Sequence, residues 1–411
     1  MPTNNGIAIV GAGLAAAKTV EALRLTHGYE GPLTLIGDEP HLPYERPGLS
    51  KGYLLGTVDA AGLDVHPADF YAANDISLLR CERATDLDLA ARRVRTDAGT
   101  EVAFDQVVLA TGARARRLDV AGRGLAGIHY LRNRDDSDRL REALGSAGSV
   151  VIVGAGWIGL ELASAARTLG LTTTVVEPLP TPLYTVLGPE IGGFFAQRHR
   201  DHGVNLRTGD GVEKFLGTGR VEAVRTTTGK TIPADLVIVG IGAIPNTELA
   251  EQAGLKTDAG ILVDPDLRTS HPAALATGDV ARQRHPRHLN PIRVDHWDNA
   301  IVHGTAAAAT LTGVPKIVDM VPYFFSTQYD STLEYVGHPL HWDRVITRGD
   351  PDAPGFTAFW LDGGTPVAAM TLDNWGAAEH LRALVAAARP TDTGRLGDPG
   401  VPLPDLARAA A

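Results

Sequence analysis

A strand that runs into a glycine-rich turn, then a helix, then a second strand occurs twice in this chain, and that repeat limits the fold more than any other feature. The first copy is a strand over Gly6 to Val10, the turn Gly11-Ala12-Gly13-Leu14-Ala15-Ala16, a helix to about Leu25, and a strand Leu33 to Ile36 ending at Gly37-Asp38. The second is a strand over Val150 to Val153, the turn Gly154-Ala155-Gly156-Trp157-Ile158-Gly159, a helix to about Leu169, and a strand Thr173 to Val176 ending at Glu177. Parallel strands cannot be joined by a hairpin and need a crossover helix, so each copy is a βαβ unit and the chain is α/β.

A lone GxGxxG is also met as a tight turn that binds nothing. Here the strand–turn–helix context is complete in both copies. Gly11 and Gly13, like Gly154 and Gly156, allow the turn and the approach of a pyrophosphate. The third position serves helix–strand packing and tolerates alanine, as at Ala16; Gly159 keeps glycine there. The phosphates then lie at a helix N-terminus, where free N–H groups and the dipole favour negative charge. A carboxylate for the ribose diol is expected about 20 residues on. Asp38 lies 27 positions after Gly11, and Glu177 lies 23 after Gly154. Two such sites in one chain point to a flavin and a nicotinamide. Glu177 would accept from a 2′-hydroxyl and repel a 2′-phosphate, and no Lys or Arg stands between Pro178 and Pro189, so NADH is favoured over NADPH.

Further strands end in small residues: Val107 to Leu109 before Ala110-Thr111-Gly112, Leu236 to Val239 before Gly240-Ile241-Gly242, and Ala274 to Ala276 before Thr277-Gly278-Asp279. Helix-forming sequence follows from Trp297 to Leu311. Alternating aromatics from about Val321 suggest a smaller sheet, then a helix from Gly376 to Ala388. The Pro/Gly-rich tail from Arg389 reads as irregular.

The 411 residues contain one cysteine, Cys81, which excludes a disulfide framework, a CxxC pair and a cysteine-ligated cluster. Cys81 reads as a small core residue. No metal site is expected. With 38 basic against 48 acidic residues the net charge is −10, so a nucleic-acid partner is not expected. No apolar run reaches the roughly 18 residues of a membrane span, and the N-terminus has no basic export segment. A reducing, cytoplasmic setting is expected.

Tyr44-Glu45-Arg46-Pro47-Gly48-Leu49-Ser50-Lys51, Ala110-Thr111-Gly112 and Thr277-Gly278-Asp279 resemble segments of the FAD-dependent, NADH-dependent ferredoxin reductases of cytochrome P450 and aromatic-ring dioxygenase systems. The likeness continues through Gly240 to Asn246, His296 to Ala300 and Tyr323 to Asp330, so it covers nearly the whole chain. It implies a glutathione reductase-like fold of two Rossmann-type dinucleotide-binding domains and a small α+β C-terminal domain. The FAD domain would be split, about 1–115 and 243–320, around an NAD domain at about 116–242, with the C-terminal domain at about 321–411.

Carried over by position, the resemblance implies flavin contacts at Ala15, Asp38, Arg46, Lys51, Ala84, Thr111, Gly112, Arg132, Asp279 and Trp297, and nicotinamide-side contacts at Ile158, Glu161 and Gly242. Asp279 would hold the ribitol hydroxyls and Arg132 would neutralise pyrophosphate charge. Lys51, Glu161 and Trp297 would be the catalytic residues: an ammonium beside the flavin, a carboxylate orienting the nicotinamide near that lysine, and the start of a helix aimed at the ring. Phe325 stands where relatives often carry tryptophan, and Thr185 where many carry arginine. The implied activity moves electrons from NADH through FAD to a [2Fe-2S] ferredoxin and so to a P450 or other oxygenase. An NADH oxidase or quinone reductase of the apoptosis-inducing-factor type is the alternative. An acidic ferredoxin needs a basic face, for which Arg114, Arg116 and Arg117 are one candidate. Arg282, Arg284 and Arg287 with His285 and His288 are the other.

Overall fold

The computed structural model describes residues 5–351 and 353–410. Its contacts divide the chain into two compact units. The first comprises Met1–Glu45, Ala60–Arg114 and Ile244–Pro322; the second comprises Arg46–Asp59, Ala115–Ala243 and Tyr323–Ala411.

The first unit is built on a five-stranded parallel sheet in the order Ala274–Ala276, Gln106–Leu109, Ile7–Val10, Leu33–Ile36, Ile76–Leu79. Strands covered on both faces read as near-continuous apolar runs, and four of these five do so, with Ile9, Leu35, Val108 and Leu275 fully buried; the edge strand Ile76–Leu79 exposes Ser77. Helix Leu14–Glu21 packs against helix Trp297–Leu311. The approach is close enough that a Cβ on Gly304 would lie 2.5 Å from the Ala15 carbonyl oxygen. The buried run Ala306 to Ala309 is the small-residue surface such an approach demands. The first helix continues as a π-turn over Ala22–Thr26, so the expected helical stretch is present with its last turn widened. Cys81 corrects the expectation of a core residue. It is exposed, with a left-handed φ of +58°, so it contributes nothing to packing.

The second unit has its own five-stranded parallel sheet, ordered Asn205–Thr208, Thr172–Glu177, Ser149–Val153, Leu236–Val239, Ile128–His129. Helix Trp157–Thr168 covers it. The same unit holds an antiparallel five-stranded sheet ordered Tyr323–Gln328, Ser331–Gly337, Thr365–Leu372, Thr357–Asp362, Arg344–Arg348. Phe359, Trp360 and Met370 are fully buried in it, and the Trp360 indole donates to the Leu187 carbonyl at 3.0 Å. Helix Ala377–Ala387 lies on this sheet. The tail departs from the irregular chain expected of it. It forms helices Thr393–Gly397 and Leu403–Ala410. Asp392 caps the first by accepting from the Gly394 and Arg395 amides, and Leu406, Ala407 and Ala410 are buried on the second.

Each unit buries a histidine. His199 and His303 have side chains almost fully enclosed, and burial pushes both down to about 4. An unfolded histidine titrates near 6.5, so between about pH 4 and 6.5 the unfolded chain binds more protons than the folded one. Stability contributed by these groups is present above that window and is lost as pH falls through it. Lowering the pH from 7 to 5 should cost about 2 kcal/mol per histidine. Urea midpoints measured across that range check this. A flat profile from pH 7 to 5 would contradict it.

Candidate dinucleotide sites and the Lys51–Glu161 pair

In the first unit, Gly11 sits at φ +107°, and a Cβ there would lie 2.1 Å from the Ala110 carbonyl oxygen. Only glycine fits. Two residues on, Gly13 meets nothing within 4 Å of where a Cβ would be. It leads directly into helix Leu14–Glu21, which has no side-chain cap at its N-terminus. The cradle is therefore open on the side where a phosphate would bring its charge to uncapped amides. Ala15 and Ala16 are buried. Thr111 and Gly112 are clamped to the Pro245-Asn246 segment. Thr111 donates to the Asn246 carbonyl at 2.8 Å, and the Asn246 side chain donates back to the Thr111 carbonyl at 2.8 Å. Asp279 is the middle residue of the 3-10 turn Gly278–Val280 after strand Ala274–Ala276 and is half-buried. The neighbouring Thr277 hydroxyl is buried without a hydrogen-bond partner among the described residues. An unpaired polar atom in this position suits a polar ligand. These features fit a bound FAD. Trp297 begins helix Trp297–Leu311, whose N-cap His296 accepts from the Asp298 amide. Asp38 is largely exposed and pairs with Arg83 at 3.1 Å. Ala84 begins strand Ala84–Asp88.

In the second unit, a Cβ on Gly154 (φ +101°) would lie 2.4 Å from the Gly240 carbonyl oxygen. Gly156 is open, with no side-chain cap on the helix it begins. At Gly159 a Cβ would lie 2.1 Å from the Gly154 carbonyl oxygen. The third glycine is thus obligatory in this copy, whereas the first copy packs an alanine methyl. Glu177 is buried, with one oxygen accepting from the Ala155 amide at 2.7 Å and the other from the Leu179 amide at 2.9 Å. It therefore fastens the glycine turn as well as standing at the strand end, a role its spacing does not reveal. Ile158 is 44% exposed at the start of the helix, and Gly242 is exposed at φ +99°. An open cradle with a carboxylate beside it fits NADH.

Also in this unit, Lys51 and Glu161 meet. The Lys51 ammonium lies 2.7 Å from Glu161 Oε2, which also accepts from the Ser50 hydroxyl. Glu161 is buried in the first turns of its helix, and Lys51 follows the 3-10 turn Pro47–Ser50. The lysine also donates to the Pro47 carbonyl at 3.2 Å, and the Phe325 ring centroid is 5.9 Å from its nitrogen. Arg46 and Arg132 are joined as well: the Arg46 guanidinium donates to the Arg132 carbonyl. Ser50, Ser326 and Gln328 take part in this region and were not singled out from the sequence. All three lie inside segments that carry the resemblance, but the role of a serine or glutamine is set by what faces it.

The arginine clusters are less free than a row of cations suggests. Arg114 pairs with Glu248 at 2.7 Å, and Arg117 lies over the Tyr130 ring at 4.6 Å. Arg282 pairs with Asp258 at 2.6 Å and Arg287 with Asp319 at 3.7 Å. His285 is buried and bonds the Met320 carbonyl, so it cannot belong to a docking face as expected. Arg116 and Arg284 are the exposed members with neither an ion pair nor a ring contact among the described residues.

Residues 5–304 match the pyridine nucleotide-disulphide oxidoreductase family, and residues 323–407 match a reductase C-terminal domain. The chain belongs to this family. Among similar oxidoreductases, rhodocoxin reductase of Rhodococcus erythropolis is 40% identical over 86% of this chain and 83% of its own. Putidaredoxin reductase of Pseudomonas putida is 35% identical over 100% of this chain and 98% of its own. A crystal structure of the covalent putidaredoxin reductase–putidaredoxin complex superposes with a TM-score of 0.94 at 35% identity, covering 98% of both chains. The fold is accordingly glutathione reductase-like, an α/β oxidoreductase fold that takes FAD and a nicotinamide nucleotide. The family's name refers to disulphide chemistry that needs a cysteine pair. This chain has one cysteine, and it is exposed.

Proposed function

We propose that this protein is a flavoprotein ferredoxin reductase, carrying electrons from NADH through FAD to a [2Fe-2S] ferredoxin that serves a cytochrome P450 or another oxygenase. The observation that carries this reading is the presence of two open glycine cradles in a chain with a single exposed cysteine. Electrons taken from a nicotinamide have no dithiol to enter, so they must leave to an external acceptor. The named relatives supply its class, since they include a putidaredoxin reductase and the ferredoxin–NAD(+) reductase component of an anthranilate 1,2-dioxygenase system.

FAD, when bound, accepts two electrons with a proton from NADH and passes electrons on singly. The chain's own part is placement and charge. The helix N-termini at Gly13 and Gly156 take the two pyrophosphates, and Glu177 takes the adenine ribose of the nicotinamide nucleotide. Asp279 holds the ribitol hydroxyls, with Asp38, Arg46, Ala84, Thr111, Gly112 and Arg132 completing the flavin contacts. Lys51 supplies a fixed positive charge for the reduced ring, and Glu161 and Ser50 fix that ammonium in place, so no reorganisation is needed as charge develops. Trp297 adds the start of a helix dipole. The functional division is FAD domain 1–115 and 243–320, NAD domain 116–242 and C-terminal domain 321–411. No helix among the described residues is long and apolar enough to cross a membrane, and a lone reduced cysteine suits the cytoplasm.

An acidic ferredoxin steered by Arg116 or Arg284 should be reduced more slowly as salt rises, because screening shortens the reach of charge to about 8 Å at physiological ionic strength. Turnover with a neutral quinone should barely change. Charge reversal at Arg116 and at Arg284 should lower ferredoxin turnover and spare quinone turnover. If ferredoxin is reduced no better than quinone at any salt concentration, the oxidase or quinone-reductase reading replaces this one.

A further inference from the structure

The carboxylate of Glu161 has a second oxygen that Lys51 does not use. Glu161 Oε1 accepts from the Ser326 hydroxyl at 2.7 Å. Ser326 Oγ accepts from the Gln328 amide at 3.2 Å, and Gln328 Oε1 lies 2.9 Å from His199 Nε2. His199 Nδ1 lies 2.8 Å from the Tyr329 hydroxyl. Glu161, Ser326, Gln328 and His199 are all at most 5% exposed. Strand residues two apart share a face, which is why Ser326 and Gln328 both turn toward helix Trp157–Thr168 along with Phe324, whose ring is 4.4 Å from that of Trp157. The following Tyr329 adopts a left-handed φ of +57°, and its amide donates to Ser164, one turn beyond Glu161 on the same helix.

The direction of this chain is fixed from its carboxylate end. A carboxylate paired with an ammonium only accepts, so Ser326 must spend its single proton on Glu161. Ser326 must then accept from Gln328, which turns the Gln328 oxygen toward His199. That oxygen only accepts, so His199 carries its proton on Nε2. A neutral imidazole then has Nδ1 free to accept from Tyr329. Every donor points toward Glu161, and aligned hydrogen bonds polarise one another. The amide in the middle donates an N–H but does not release it, so the chain orients and does not conduct.

We infer that Ser326, Gln328 and His199 are positioning residues that hold Glu161 against Lys51, making the first strand of the C-terminal sheet part of the apparatus for hydride transfer. The inference rests on the reading of Lys51 and Glu161 given above. The charged and titratable groups beside the chain include Lys51 at Glu161, Arg167 on the same helix as Glu161, and, beside His199, His202 and Arg198, the last paired with Asp330. Lys51 alone among these is in an ion pair with Glu161.

The test compares FAD-loaded Ser326→Ala, Ser326→Thr, Gln328→Leu and Glu161→Gln with the unaltered protein. Two quantities are read: the single-turnover rate of flavin bleaching at saturating NADH, and the long-wavelength charge-transfer absorbance of the reduced enzyme with NAD+. The absorbance reports ring stacking without turnover. Ser326→Ala should lower the rate about tenfold and weaken the band, with NADH affinity within about twofold. Gln328→Leu should move both the same way, and Ser326→Thr, which keeps the hydroxyl, should restore them. A Ser326→Ala protein that is less heat-stable but unchanged in rate and band would overturn the inference. If Glu161→Gln impairs both readouts and Ser326→Ala neither, the relay alone fails. If Glu161→Gln impairs neither, the role given to Glu161 fails and the relay falls with it.

Discussion

Gly159→Ala should reduce kcat/KM for NADH at least about 100-fold, a loss of ~2.7 kcal/mol in transition-state stabilisation. The added methyl carbon would sit 2.1 Å from the Gly154 carbonyl oxygen, a backbone atom with no flexible side chain to yield. Either the helix start or the glycine turn must move, and both belong to the NADH cradle. A shift of about 1 Å in a site that positions reacting atoms costs on the order of 100-fold. The flavin should stay bound, because its cradle lies at Gly11 and Gly13 in the other unit. Steady-state kinetics with ferricyanide, alongside the flavin-to-protein absorbance ratio, separates these effects. Unchanged NADH kinetics in Gly159→Ala, or loss of flavin without loss of NADH use, would show that the second glycine turn is not the nicotinamide site.

The second large effect concerns Glu177. The unaltered protein should prefer NADH to NADPH by at least tenfold in kcat/KM, about 1.4 kcal/mol. Its carboxylate repels a 2′-phosphate, and no cation between Pro178 and Pro189 offers an alternative. Glu177→Ala should narrow the preference to below about threefold. It should also lower kcat/KM for NADH by about 30-fold, because the Ala155 amide loses its acceptor and the turn loosens. Glu177→Gln retains an acceptor for Ala155 and should keep more of the NADH activity while losing the discrimination. Equal use of the two nucleotides by the unaltered protein would refute this account of specificity.

The glycine turns, the strands around them and the carboxylates at the strand ends were legible because they depend on local rules. A positive φ or a blocked Cβ demands glycine, and a buried parallel strand favours a largely apolar run. Long-range partners obey no such rule. The tail from Arg389 looked irregular because its prolines and glycines mask two short helices, which are held by Asp392 and by burial of Leu406. Cys81 was misplaced because thiols usually sit in cores, while here a left-handed turn puts it outside. His285 counted as surface charge until its burial showed otherwise. The relay from His199 to Glu161 was hidden for the same reason. Hydrogen-bonded members lie as far as 165 positions apart, and neither a serine nor a glutamine announces its partner.

Anaerobic rapid mixing is the most direct test of the central claim. The FAD-loaded protein is first reduced with one equivalent of NADH and then mixed with an oxidised [2Fe-2S] ferredoxin, with air-saturated buffer or with a neutral quinone. The account predicts that NADH bleaches the flavin. It also predicts that ferredoxin reoxidises it at least about tenfold faster than oxygen or quinone, with two ferredoxins reduced per NADH. Flavin that NADH does not bleach, or that oxygen or quinone reoxidises faster than any ferredoxin supplied, would contradict it.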